Sequence, residues 1–560
     1  MVTSDPQQLK TWQEKCSWAQ SRRDEGLAKV SPKLEGLPQE WPLDARVVAK
    51  SALTPREIEI TENYGVMDLL KALRERKYTV EEVTRAFLRR AALAQVATNC
   101  LTELLWDEAI SRAKELDSLP QPKGAFFGLP ISIKEHQGMM NMGDKEVVSH
   151  ASYVHWVGKK HGPIMYQQIL WEEGCVFYCR TTQPQTIMHL ETNSNIYGRT
   201  LHPHNRNLTP GGSSGGESAL IGFRAISGPQ GMGGDIGGSV RCPSAHVGIY
   251  GFKPTNKRIP AGGQRTHMIG KEAIMSTPGP MTVDRDAMEL FMQVILAREP
   301  WRLDPSIDAR PWVPFKFSKP LKIAVQWWDG VVRPHPPMTR ALKEVSEACR
   351  KAGMEVIDWD PKSEALKIPN HSKGWEIISS LYFPDGGEEV LGNLKASGEP
   401  VLPLTKFIIH EQPSVKNLTH AELWERCAER DAYRAEYARA WTATASLPGS
   451  DGREIDVILC PPSFGAAAPH DQSRYWGYTA NWNLLDYPGA VFPVTTVDPQ
   501  KDPVDSNYEP KNAEDKFVHD MYDPAKYTNA PVSLQIVGRR QHDEKVLAAL
   551  VEIEKAMGRS

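Results

Sequence analysis

The chain has 560 residues, 40% of them hydrophobic, and a formal net charge of −3. That length allows a large buried core, and the near-neutral charge removes any general electrostatic case for nucleic acid or a membrane surface as partner. The opening MVTSDPQQLKTWQEK has no apolar targeting stretch, no run of about 18 apolar residues occurs, and eight cysteines fit a reducing compartment, so a soluble cytoplasmic protein is expected.

From the N-terminus, Thr54-Pro55-Arg56-Glu57 has the spacing of a capping box with proline at the first helical position, and Thr79-Val80-Glu81-Glu82 repeats that spacing. The second opens a helix that puts Val83, Ala86, Phe87, Ala91 and Ala94 on one face. The basic pairs Arg89-Arg90 and Arg539-Arg540 read as helix-face and loop charges. Pro130 to Ile133 reads as a short buried strand leading into Lys134. Cys175 and Cys179 bracket the strand-like Val176-Phe177-Tyr178, and no second Cys/His pair stands at zinc spacing, so they read as core thiols. Further apolar runs at 322–326, 455–460 and 533–537 alternate with amphipathic helical stretches at 339–352 and 545–556. Residues 498–530, rich in Asp, Pro, Lys and Tyr, read as a long surface loop. The alternation predicts an α/β fold with a mixed central sheet covered by helices.

Between Thr209 and Pro254 lies a dense array of glycines and serines. A flexible linker would lack the apolar anchors Ala219-Leu220-Ile221 and Ile236. The phosphate-cradling patterns GxxxxGK[ST] and GxGxxG are absent. Gly212-Ser213-Ser214-Gly215-Gly216 fits G-x-S-x-G, which would make Ser214 the nucleophile of a strand-to-helix elbow. That turn needs an apolar strand before it, and Arg206-Asn207-Leu208-Thr209-Pro210 is not one.

Amide hydrolysis needs a nucleophile, a base that takes its proton and returns it to the leaving amine, and donors for the oxyanion. In Asp235-Ile236-Gly237-Gly238-Ser239 the two glycines free successive N–H groups to turn toward one point beside the Ser239 hydroxyl, making Ser239 the candidate nucleophile. Lys134 is a base only when neutral, and burial away from carboxylates lowers an ammonium pKa toward the working range. The competing reading is a solvated lysine at a strand end.

These strings resemble the amidase signature family: GLPISIK its lysine strand, GGSSGGES its cis-serine loop and GGDIGGSVRCPSAHVGIYGFKPT its nucleophile segment. The resemblance extends from about Ser51 to near the C-terminus. It implies a base at Lys134, a bridging serine in a cis peptide at Ser213, an acylated nucleophile at Ser239, and an oxyanion hole from the backbone of Ile236, Gly237, Gly238 and Ser239. It also implies one catalytic domain over 61–560, with its signature core at about 129–255, after an N-terminal segment 1–60. The runs at 183–205, 328–337, 396–403, 470–495 and 530–544 resemble fungal acetamidases more than the bacterial or fatty-acid branches. By that analogy Met188 lines the acyl site, with Gly212 and Gly234 as further substrate-binding positions. Asp235 and Arg241 are expected to hold the loop, His136 and His189 to be hydrogen-bonded neighbours, and Cys242 to be packing. The resemblance implies no cofactor and no metal, a small-molecule amide as partner, and a homodimer as a common assembly.

Three departures stand out. Gly234 replaces the family's threonine before the Asp, FRAISGPQ carries an expected insertion between Ser213 and Ser239, and the stretch over 137–156 differs from the family's pattern after its lysine. They point to a somewhat larger primary or aryl amide than acetamide. A serine amidase is the reading. The alternatives are an acyltransferase using the same acyl-enzyme and a non-hydrolytic amidotransferase-type subunit, the latter opposed by the acetamidase-like segments.

Overall fold

The computed structural model describes residues 6–139, 148–162, 164–224 and 230–559. Among them, eleven strands form one mixed sheet: β1 (Leu101–Leu104), β2 (Pro130–Lys134), β3 (Val176–Thr181), β4 (Gln230–Asp235), β5 (Tyr250–Lys253), β6 (Thr277–Thr282), β7 (Lys322–Val325), β8 (Glu355–Asp358), β9 (Val457–Cys460), β10 (Gly489–Thr496) and β11 (Pro531–Val537). Their order is β1-β3-β2-β4-β6-β5-β10-β11-β9-β7-β8. β3, β2 and β4 run parallel, as do β9, β7 and β8, and the remaining neighbours pair antiparallel. With helices flanking this sheet, the chain is a single α/β domain. The strands expected at 130–133, 322–326, 455–460 and 533–537 are all present, their ends within two residues. Every residue of β2, β3, β9 and β11 is buried. Burial on both faces is why these segments read as continuous apolar runs and not as alternation.

The helices of the N-terminal approach to the sheet include α1 (Trp12–Ala28), α2 (Pro55–Glu62) and α3 (Val80–Thr98). Thr54 and Glu57 make the full capping box of α2. Thr79 accepts from the Glu82 amide at the start of α3, but the Glu82 side chain turns to Arg56 at 2.8 Å, so the second box is only half formed. The stripe of Val83, Ala86, Phe87, Ala91 and Ala94 is buried, and so are Arg89 and Arg90. This corrects their reading as helix-face charges: Glu57 and Glu62 of α2 pair with them, supplying the counter-charge that a buried guanidinium requires.

Later in the chain come α4 (Gly215–Gly222), α5 (Arg241–Val247), α6 (His371–Tyr382), α7 (Gly477–Leu484) and α8 (Ala513–Met521). α8 corrects the expectation of an unbroken loop over 498–530. Asn512 caps it by accepting from the Asp515 amide at 2.8 Å, and Val518 and Met521 are buried beneath it. The turn-rich composition around it masked a short amphipathic helix. The departures in FRAISGPQ and over 137–156 fall partly on residues 225–229 and 140–147, which lie outside the described residues.

Parallel pairing sets β2 beside β4, with Ser132 opposite Gly231 and Ile133 opposite Met232. The carboxyl ends of both strands therefore carry Lys134 and Asp235 to one edge of the sheet, where ligands bind in open α/β folds. Trp359, Tyr437, Trp441 and Trp482, the last from α7, pack in one aromatic core.

Candidate active site

Lys134 closes β2 fully buried, and its Nζ donates to Ser213 Oγ at 2.6 Å. Among the described residues no carboxylate lies within ion-pair distance of this ammonium. Burial pushes its pKa down to about 7, against the pull of the nearby Glu217 and Asp235 charges. The solvated strand-end reading is therefore ruled out. Ser213 is held by a loop with no spare room: the Gly212–Ser213 peptide is cis, and a β-carbon at Gly212 would stand 2.5 Å from both the amide nitrogen and the carbonyl oxygen of Glu191. Ser214 then opens α4 directly, with no strand before it, which removes the elbow alternative.

Glu217, in the first turn of α4, is a site residue that the sequence reading misses, although it sits inside the glycine-serine string. It is fully buried and accepts from Ser132 Oγ at 2.6 Å and Thr181 Oγ1 at 2.9 Å. Burial raises its pKa to about 7, with those two hydroxyls and the Lys134 charge opposing the rise.

The loop after β4 is fixed by Asp235 and Arg241. Asp235 accepts from the amides of Gly238, Val240 and Arg241 at 2.9, 3.1 and 3.3 Å, and from the Arg241 guanidinium at 3.0 and 3.1 Å. Burial alone would raise the Asp235 pKa, but the Arg241 charge and hydrogen bonds outweigh it and hold the carboxyl at about 2. Asn483 and Thr479 of α7 complete the clamp, accepting from Arg241 at 2.6 and 3.1 Å. The loop carbonyls are drawn the same way: Tyr382 Oη donates to Ile236 O at 3.0 Å and Thr479 Oγ1 to Gly237 O at 2.7 Å. In a planar trans peptide the N–H points opposite its C=O, so holding Ile236 O turns the Gly237 amide away from α6.

Of the four amides expected as oxyanion donors, that of Gly238 donates to Asp235 at 2.9 Å. No acceptor among the described residues takes the amides of Ile236, Gly237 or Ser239. Gly238 has φ +132°, and a β-carbon there would meet Thr479 Oγ1 at 2.4 Å, so glycine is required on both counts. Replacing Asp235 with alanine strands the Arg241 cation in the core and is expected to cost about 3–5 kcal/mol in denaturant unfolding. With the folded pKa at about 2, below the unfolded value near 3.9, this stabilisation is present above about pH 4 and is lost as pH falls toward 2. An unfolding midpoint unchanged in Asp235→Ala at pH 7 would show the clamp to be dispensable.

A cavity of about 410 Å³ opens over the sheet edge, lined by Ser213, Ser239, Ile236, Gly234 and Met188 and by a loop spanning 261–276. Met188 and Gly234 thus share one cavity with Ser213 and Ser239. Gly212 is not among its lining residues and packs closely against the Glu191 backbone. His136 lines the cavity and bonds Gln183, whereas His189 bonds Thr405 at 2.7 Å and faces away from it. Cys242 is buried against His246 and Leu190, and burial raises its thiol to about 12, so it is packing. Among the described residues no group of three or more His, Cys, Asp or Glu could hold a metal ion.

The family model for amidases matches residues 82–547. The chain belongs to the amidase family. This amidase is 39% identical to a putative amidase of Schizosaccharomyces pombe over 93% of its length and 95% of the relative's. It is 36% identical to an acetamidase of Emericella nidulans, with 98% of each chain covered. Among solved structures, a fatty acid amide hydrolase superposes with a TM-score of 0.88 at 32% identity, covering 98% of this amidase and 95% of that chain. The amidase is accordingly an amide-hydrolysing enzyme.

Proposed function

We propose that this amidase cleaves a carboxylic amide through an acyl-enzyme on Ser239, with Ser213 and Lys134 as its proton relay. The observation that carries the reading is the 2.6 Å bond from a fully buried Lys134 to Ser213, beside a cavity that Ser239 also lines. Neutral Lys134 takes the Ser213 proton, Ser213 takes that of Ser239, and Ser239 Oγ bonds to the amide carbon. The oxyanion is met by the free amides of Ile236, Gly237 and Ser239. The relay then runs backward, Ser213 protonating the nitrogen as the C–N bond breaks. Water repeats the path, and the acid leaves. The relatives' names, acetamidase and fatty acid amide hydrolase, support the reaction class.

A cavity of about 410 Å³ is larger than acetamide fills. Across a panel from acetamide to aryl and longer acyl amides, kcat/KM is expected to rise in graded steps, because one added methylene changes binding by only about 1–3 kcal/mol. Released amine and free acid should match one to one without any added acceptor. Acetamide ranking first would remove the size preference, and amine released only in the presence of an acceptor would replace hydrolysis by acyl transfer.

A further inference from the structure

The walls of the catalytic cavity carry almost no charge. Among the described residues that line it there is no aspartate and no glutamate. Three histidines reach it, His136, His161 and His267, and burial lowers the pKa of each, so all three are neutral at pH 7. Their rings are already engaged: His136 with Gln183, His161 with the Gly263 carbonyl and His267 with Tyr153. The one lining side chain that is charged at that pH is Lys271, on the loop spanning 261–276.

Lys271 is half-buried and held at a single point. Its Nζ donates to the carbonyl of Tyr382, the last residue of α6, at 2.8 Å. An ammonium has three N–H donors, so two remain. Among the described residues no carboxylate lies within ion-pair distance of it. Asp385 and Glu389 act on its charge from further away, but neither lines the cavity, and both accept from backbone amides, Asp385 from those of Gly387 and Glu389 and Glu389 from that of Met268. Burial lowers the Lys271 pKa to about 8 against the pull of those two acids, which leaves most of it ionised at pH 7.

A partly desolvated ammonium without a counter-ion costs free energy that an incoming anion recovers. A cavity free of acidic side chains offers such an anion no repulsion, and its apolar lining of Ile187, Met188, Ile236 and Ile274 strengthens the attraction by excluding water. We propose that Lys271 binds a carboxylate of the substrate, so that the amides this enzyme takes best carry a carboxylate on their acyl or their amine portion. One residue ties this anchor to the reacting centre: Tyr382, whose carbonyl holds Lys271, also donates through its hydroxyl to Ile236 O in the loop that ends at Ser239. Lys271 positions the substrate and takes no part in the proton relay. This deepens the amidase reading and rests on it for the identity of the bond cleaved.

The test uses the full-length enzyme at pH 7 and matched pairs in which an isopropyl group replaces the carboxylate at similar size: succinamate against 4-methylpentanamide for the acyl side, and N-acetyl-β-alanine against N-(3-methylbutyl)acetamide for the amine side. In at least one pair the carboxylate member should lead by about tenfold or more in kcat/KM, the worth of one charge-assisted hydrogen bond. Lys271→Met should bring that ratio to one or below, and Lys271→Arg should keep it above one. Binding of the same pairs to Ser239→Ala, followed by NMR titration, separates recognition of the carboxylate from cleavage of the amide. A neutral member equal or ahead in both pairs, or a carboxylate preference that survives Lys271→Met, overturns the proposal. Preferential binding of a carboxylate member to Ser239→Ala, lost on adding Lys271→Met, with no ammonia or amine released by the wild type would keep the anchor and strike the hydrolase reading instead.

Discussion

Ser239→Ala is expected to lower amide turnover by about ten-thousand-fold or more while leaving the unfolding midpoint unchanged. Removing a serine nucleophile abolishes the acyl-enzyme route and leaves only what binding and the oxyanion donors supply. The side chain is small, and the Asp235–Arg241 clamp is built without its hydroxyl, so truncation leaves the clamp intact. A fluorophosphonate should add one mass label to the wild type and none to the variant. Persistence of that label on Ser214 or Cys242 would reassign the nucleophile. The structure disfavours both: Ser214 is the buried start of α4 and the Cys242 thiol is pushed up to about 12.

The second large effect concerns Lys134. The relay needs the neutral amine, and burial sets its pKa at about 7. Below that value most of the enzyme carries the ammonium, so kcat/KM should climb about tenfold per pH unit and level off above pH 7. Lys134→Ala should lose about 10²- to 10⁴-fold and with it the rising limb. Glu217→Gln provides the control: the Glu217 charge raises the Lys134 pKa, so its removal should move the limb to lower pH. A profile that keeps its limb in Lys134→Ala would refute the assignment of the base.

How much of this is legible in the sequence depends on whether the chemistry is local. Lys134, Ser213 and Ser239 lie in strings whose glycines are spaced by the packing they permit, so each can be read in isolation. The strands β2, β9 and β11 are readable because both faces are buried and their composition is largely apolar. The residues that shape the loop after β4 are not readable. Tyr382, Thr479 and Asn483 come from α6 and α7, more than 140 positions away, and nothing in EIISSLYF or GYTANWNL marks a hydroxyl or amide that holds this loop. Arg89 and Arg90 mislead for a related reason: a basic pair on a helix looks solvated until the acids that bury it, Glu57 and Glu62, are placed by the fold. The commitment of the Gly238 amide to Asp235 likewise depends on backbone direction, which composition does not encode.

The Arg241 clamp has a consequence for the history of each molecule. Its guanidinium reaches Asn483 and also Gln535 of β11, whose own amide nitrogen holds the carbonyls of Pro461 and Tyr478. A ribosome therefore releases Lys134, Ser213 and Ser239 long before the segments that hold Arg241 exist, and β10 can pair with β11 only near the end of synthesis. The loop that carries Ser239 is thus fastened by the last strand of the sheet to be synthesised.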